Sequence, residues 1–150
     1  MIQLSQKCHY AIRAVLELAR RGPGFSATIG EIAEAQAIPA GFLAVILGEL
    51  RRAGIVQSRR GSRGGYSLVA AASEVFLADV MAAVEGPGWR TDGLHMMNRQ
   101  GEYVWGDSAL AELYSHAADC VGEIFAKTSC AEVIEREAAN APALAGNYSI

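Results

Sequence analysis

Residues 51–68, RRAGIVQSRRGSRGGYSL, constrain the fold more than any other stretch: a helix must end there and a small hairpin must follow. Gly54 is the residue free to take the left-handed conformation that stops a helix. Ile55 to Ser58 and Tyr66 to Leu68 are β-prone runs, and Gly61, Gly64 and Gly65 let the chain reverse between them. Arg59, Arg60 and Arg63 fall on that turn. A hairpin so short has no core of its own. Its arginines suit either plain solvation or a groove lined by phosphates, and the residues before it decide between them.

Those residues carry helix signals in a fixed order. Ser5 is an N-cap with Leu4 just before it, and Cys8, Ala11, Ile12, Val15, Leu18 and Ala19 then recur at three-to-four spacing up to about Arg20. His9 and Arg13 lie off that stripe. Gly22-Pro23-Gly24 ends the helix. Thr28 and Glu31 have the spacing of a capping box, which starts a short helix over Ile29 to about Gln36. After a tight turn, Pro39 opens a third helix, about 40–53, that buries Leu43, Ile46, Leu47 and Leu50. Two short helices, a tight turn and a basic hairpin make a winged helix-turn-helix. The fold class expected is therefore mainly α with a small β-hairpin wing.

The rest of the chain has a different character. Leu77 to Glu85 is amphipathic, with Val80, Met81 and Val84 on one face, and Gly86-Pro87-Gly88 breaks it. Residues 87–106 show no periodicity and hold both tryptophans, Trp89 and Trp105; a connector of that length is more often functional than passive. Asp107 begins the longest helix, in which Leu110, Leu113, Tyr114, Ala117, Val121, Ile124 and Phe125 form a stripe too long for so small a domain to cover alone. Ser129 and Glu132 resemble a second capping box and restart a short helix to about Ala139. The expected organisation is 1–86 as a DNA-binding unit, 87–106 as a sensor loop, 107–139 as dimerisation helices and 140–150 as a loose tail.

Charge agrees with that division. The net charge of −3 argues against a nucleic-acid partner until its distribution is read. Residues 1–65 hold nine Lys/Arg against four acids, whereas residues 66–150 hold four against twelve. A basic N-terminal half with an acidic remainder suggests one face for a polyanion and a separate body for other work. Three widely spaced cysteines (Cys8, Cys120, Cys130) are no disulfide framework, and neither a secretion signal nor a membrane-spanning run is expected, which points to the cytoplasm.

The run Ala53-Gly54-Ile55-Val56, Ser58, Gly61, Gly64-Gly65-Tyr66 and Leu68 resembles the Rrf-two family of bacterial winged-helix transcription regulators. So do Leu4-Ser5, Tyr10-Ala11, Ile32-Ala33, Ile38-Pro39, Phe42-Leu43, Leu47, Leu50, Asp79-Val80 and Ala83-Val84-Glu85-Gly86. The resemblance covers residues 1–86 closely and 107–137 loosely. It implies a homodimer whose long C-terminal helices pack on each other, each subunit offering a reading head to a palindromic operator. In a two-fold dimer the two recognition helices fall about 34 Å apart, one turn of DNA.

The outward face expected for helix 40–53 is Ala40, Gly41, Ala44, Val45, Gly48 and Arg52. Ala44 and Val45 cannot pair with base edges, but they can touch a thymine methyl, and Gly41 allows close backbone approach. Wing arginines suit a narrow A/T-rich minor groove. By resemblance to the family wing, Arg60 is the minor-groove residue with Arg59 and Arg63 beside it, and Lys7, Arg51 and Ser62 contact phosphates.

The sensor is harder to read. Cluster-binding family members carry three cysteines between the fourth helix and the long one; here residues 87–106 contain none, and those positions fall near Trp105 and Ser108. No cofactor is therefore assigned, an iron–sulfur cluster is not expected, and any metal is unknown. Cys8 and His9 sit where some members take a further ligand from the partner subunit. Cys8 also suits packing, and Cys120 and Cys130 suit the core or the dimer seam. His95 offers a soft ligand beside Met96 and Met97, and Trp89 and Trp105 could line an effector pocket or simply anchor the loop. Small-molecule or protein sensing ranks first, cysteine redox chemistry second, metal third. An enzyme is not expected, since the glycines of 61–65 join strand to strand and no general base is placed beside a cysteine. A winged helix used for protein contact alone is the remaining rival.

Overall fold

The computed structural model describes residues 4–61, 64–86 and 106–146. Within them the helices are α1 (Gln6–Arg20), α2 (Ile29–Gln36), α3 (Ala40–Arg52), α4 (Leu77–Glu85), α5 (Asp107–Lys127) and α6 (Cys130–Gly146). The strands β1 (Val56–Arg59) and β2 (Gly65–Leu68) pair antiparallel, Val56 opposite Leu68 and Arg59 opposite Gly65. No single described helix is long and apolar enough to cross a membrane.

Local chemistry sets each boundary. The Ser5 hydroxyl accepts the Cys8 N–H at 3.0 Å and starts α1. Thr28 and Glu31 exchange bonds as a capping box: the Glu31 N–H reaches the Thr28 hydroxyl at 3.2 Å, and the Thr28 N–H reaches the Glu31 carboxylate at 2.7 Å. Both α2 and α3 end in the same six-to-one and five-to-two pattern. Ile38 N–H bonds the Ala33 carbonyl and Ala37 N–H that of Glu34; Ile55 N–H bonds Leu50 and Gly54 N–H bonds Arg51. The left-handed residue is Gly54 (φ 76°) after α3, as expected, but Ala37 (φ 49°) after α2. An alanine there costs on the order of 1 kcal/mol, and the tight turn to α3 requires it. The α3 cap also uses the Ile55 N–H, so the strand starts at Val56, one residue later than the sequence suggests.

The core forms around α1, which packs against α2, α3, α4 and α6. Cys8, Ala11, Ala14, Val15 and Leu18 meet Ile32, Leu43, Ile46, Leu47, Leu50, Val80, Met81 and Val84 there, all buried. The wing is fastened to this body: Ala27 and Tyr66 exchange both backbone bonds, at 2.9 and 2.7 Å. The bond pair brings Gly65 (φ 143°) so close that a Cβ on it would lie 2.6 Å from the Ala27 carbonyl oxygen. Farther along, the chain crosses itself where Leu77 N–H bonds Thr128 and Cys130 N–H bonds Val75, which seats α6 on α1.

One expectation is corrected. The short helix expected to stop near Ala139 runs on to Gly146, so residues 140–146 are helical rather than a loose tail. Alanine, the best helix former, fills three of those seven positions.

Candidate nucleic-acid interface

Helix α3 and the wing share one surface because the α3 cap feeds β1 directly. On α3, Ala40, Gly41, Ala44, Val45 and Arg52 are exposed, as expected, and Gly48 is half-buried. Phe42 is exposed too, packed edge-on against Tyr10 with ring centroids 5.9 Å apart. The sequence reading did not place this pair on the outer face. Its signal was the four-residue spacing of Phe42 from the buried Ile46, one position off the stripe.

Beyond the helix, Arg51 donates to the Ser58 hydroxyl at 3.2 Å. That bond holds a guanidinium between helix end and strand. Arg59 and Arg60 are exposed at the outer end of β1. Arg51, Arg52, Arg59 and Arg60 thus extend the apolar α3 face with positive charge. Ser62 and Arg63 lie outside the described residues.

Lys7, expected on phosphates, is engaged elsewhere. Its ammonium is 2.9 Å from Glu49 on α3 and donates to the Val84 carbonyl of α4 at 2.7 Å. The nearby Ser5 hydroxyl donates to Glu85. These contacts tie the start of α1 to the recognition helix and to the end of α4.

A second polar cluster went unread in the sequence. Glu17 is fully buried, and its carboxylate accepts from Arg20 (2.6 and 2.8 Å), Arg21 (2.9 Å) and Gln36 (3.0 Å). Burial would raise its pKa, but the hydrogen bonds from Arg20, Gln36 and Arg21 outweigh that and hold it below the ordinary carboxylate value. Arg13 in turn donates to the Gln36 side chain at 3.2 Å and to its carbonyl, so the end of α2 is fixed to α1.

The sensor candidates separate. Cys8 is fully buried, and burial, with the Glu85 carboxylate as a lesser cause, pushes its thiol up to about 11. A thiol so protected suits the packing role that the sequence also allowed for it. Cys130 behaves alike, buried and raised to about 11 by burial. His9 is exposed on α1. Trp89, His95 and Trp105 lie outside the described residues. Among the described cysteines only Cys120, on α5, is exposed.

Helix α5 has two faces. Tyr114, Ala118, Val121 and Phe125 are half-buried and Gly122 is buried, with α5 lying against α4. Leu110, Leu113, Ala117, Cys120 and Ile124 are exposed on the other side, Leu113 at 60% and Ile124 at 63%. Their alternating three- and four-residue spacing is that of a helix–helix seam.

Comparison with known proteins places this geometry. The family model named Rrf2, described as an iron-dependent transcriptional regulator, matches residues 4–136. A Synechocystis protein named as an HTH-type transcriptional regulator is 43% identical over 84 residues, 56% of this chain and 57% of that protein. IscR of Photorhabdus laumondii is 29% identical over 137 residues, covering 91% of this chain and 81% of its own. The chain thus spans little more than half the length of the first of these. Among solved structures, CymR of B. subtilis, titled as its global cysteine regulator, matches with a TM-score of 0.74 at 25% identity, covering 91% of this chain and 98% of that one. The relatives and structural neighbours are transcriptional regulators, not enzymes.

Among the described residues the donor groups do not fit an iron centre of the kind the family description suggests. Residues 87–106 contain no cysteine, Cys8 and Cys130 are sealed in the core, and among the described residues no three His, Cys, Asp or Glu side chains converge.

Proposed function

The chain belongs to the Rrf2 family of transcriptional regulators, and from that premise we propose that it is a homodimeric, sequence-specific DNA-binding repressor. One observation carries the reading: Ala44 and Val45 of α3 and the cations Arg51, Arg59 and Arg60 are all exposed, and the α3 cap and the Arg51–Ser58 bond join the helix to the wing. Helix α3 enters the major groove, where Ala44 and Val45 meet thymine methyls and Gly41 lets the backbone approach. The wing follows the backbone to the adjacent minor groove, with Arg60 as its deepest cation and Arg59 and Arg63 beside it. Arg51 and Ser62 contact phosphates.

The uncovered seam of α5 supports the dimer. A stripe running from Leu110 to Ile124 covers about four helical turns, and a second copy buries it isologously. The dimer sets two reading heads on a palindromic, A/T-rich operator. Repression follows by occlusion of the operator, with residues 87–106 as the segment on which a small molecule or protein partner acts.

Fluorescence anisotropy with DNA from upstream of the protein's own gene tests the reading. The expected result is saturable binding with a steep salt dependence. Arg60→Ala should cost about 1–3 kcal/mol. Binding that is salt-insensitive, or a loss under about 0.5 kcal/mol for Arg60→Ala, would remove the minor-groove role.

A further inference from the structure

We propose that His116 and Cys120 of α5, with the same two residues of a second copy, form a zinc-class metal site across the dimer seam. The inference rests on the dimer reading above.

Cys120 Sγ and His116 Nε2 lie 3.9 Å apart, four residues apart on one exposed helix face. Thiolate and imidazole bound to one tetrahedral zinc at about 2.3 and 2.0–2.1 Å stand roughly 3.6 Å apart. A small rotation about exposed side-chain bonds therefore closes the pair on a common ion. Among the described residues one chain brings two such ligands together here. A structural zinc site takes four.

Symmetry supplies the others. The exposed seam runs from Leu110 to Ile124, and its midpoint is Ala117. In an isologous helix pair, residues near the middle of the contact lie near the two-fold axis and meet their own copies. His116 and Cys120 flank that midpoint, about 1.5 and 4.5 Å from it along the helix. Ala117 between them has a side chain small enough for close helix approach. Two thiolates and two imidazoles then surround the axis, a donor set that selects zinc over magnesium or calcium. On binding, the Cys120 thiol gives its proton to solvent and His116 binds as neutral imidazole through Nε2; nothing is oxidised or reduced.

The site differs from every sensor position in residues 87–106 and from the N-terminal Cys8–His9 pair. It would couple metal supply to dimer stability, and so to how firmly the two reading heads are held at operator spacing.

The test uses the full chain, freed of metal with chelator, kept reduced and titrated with cobalt(II) as a spectroscopic surrogate for zinc. The site predicts ligand-field bands of tetrahedral cobalt with a thiolate charge-transfer band, saturating at one ion per two chains and displaced by zinc. Cys120→Ser should abolish the charge-transfer band, and His116→Ala should weaken binding at least about tenfold. Both side chains are exposed, so circular dichroism should confirm that the variants keep their helices. A dimer by light scattering that binds no cobalt, or whose cobalt spectrum survives Cys120→Ser, overturns the site and leaves the dimer standing. A monomer overturns both. A Cys120–Cys120 disulfide forming in preference to metal uptake under reducing conditions also overturns it.

Discussion

The Lys7 ammonium lies 2.9 Å from the Glu49 carboxylate, joining the first helix to the recognition helix. Among the described residues no hydrogen-bond donor besides that ion pair reaches Glu49 Oε2, which is buried. Lys7→Met leaves the oxygen without a partner, and urea unfolding should show a loss of about 1–3 kcal/mol. The salt dependence of DNA binding separates this role from a phosphate contact. If Lys7 is a strut, the slope of the variant stays unchanged; if it neutralises a phosphate, the slope falls by about one.

Glu17 makes a prediction about pH. Its pKa is lowered in the folded protein from the ordinary value of 4.5, so its contribution is complete above that value and is lost as pH falls through the depressed native one. Glu17→Gln keeps the shape and removes the charge. It should cost on the order of 2 kcal/mol at pH 7, less than a fully sealed ion pair because the Arg20 side chain is 57% exposed and can rehydrate. The gap between wild type and variant, read from urea midpoints, should close below about pH 4. A gap constant from pH 7 to pH 3 would mean that the carboxylate's charge contributes nothing.

Much of the reading head was legible because caps and turns are written in single residues. Ser5, Thr28 with Glu31, and Gly54 each satisfy a backbone group that has no other partner, so their identity alone sets a helix end. Glu17 was illegible for the opposite reason. An acid beside Arg20 and Arg21 reads as a solvated face, and only packing against Gln36, nineteen positions away, reveals the burial. Ala37 in a left-handed conformation gave no signal either, since the chain turns there under tertiary constraint. The α5 stripe was read as one apolar band. Tertiary packing divides it into a face held by α4 and a face left exposed.

The thiols should react in a fixed order. Native protein treated briefly with iodoacetamide should be alkylated at Cys120, while Cys8 and Cys130 react only after denaturation, because burial raises both to about 11 and excludes the reagent. Peptide mass spectrometry reads each site. If α5 is the dimer seam, Cys120 labelling should slow as protein concentration rises through the dimer range. Early labelling of Cys8 would show that the α1–α4 contact opens readily and would restore it as a sensor.

The thymine-methyl reading can be tested on both partners at once. Val45 is 59% exposed on α3 and has no polar atom to offer a base edge. Val45→Ala removes two methyl groups and improves helix propensity, so a loss of affinity would not trace to unfolding. Each methyl withdrawn from an apolar contact is worth about 0.8 kcal/mol, and a loss of roughly 1 kcal/mol is expected on the natural operator. Replacing the contacted thymine by uracil deletes the methyl from the DNA and leaves its hydrogen-bonding edge intact. Wild-type protein should lose a similar amount on that DNA, and the variant should lose little more, because the contact is already gone. The coupling in the four-way cycle should therefore reach about 0.5–1 kcal/mol at one operator position and vanish at the others. Additive losses at every position would show that Val45 only fills the groove, and that specificity comes from the wing and from DNA shape.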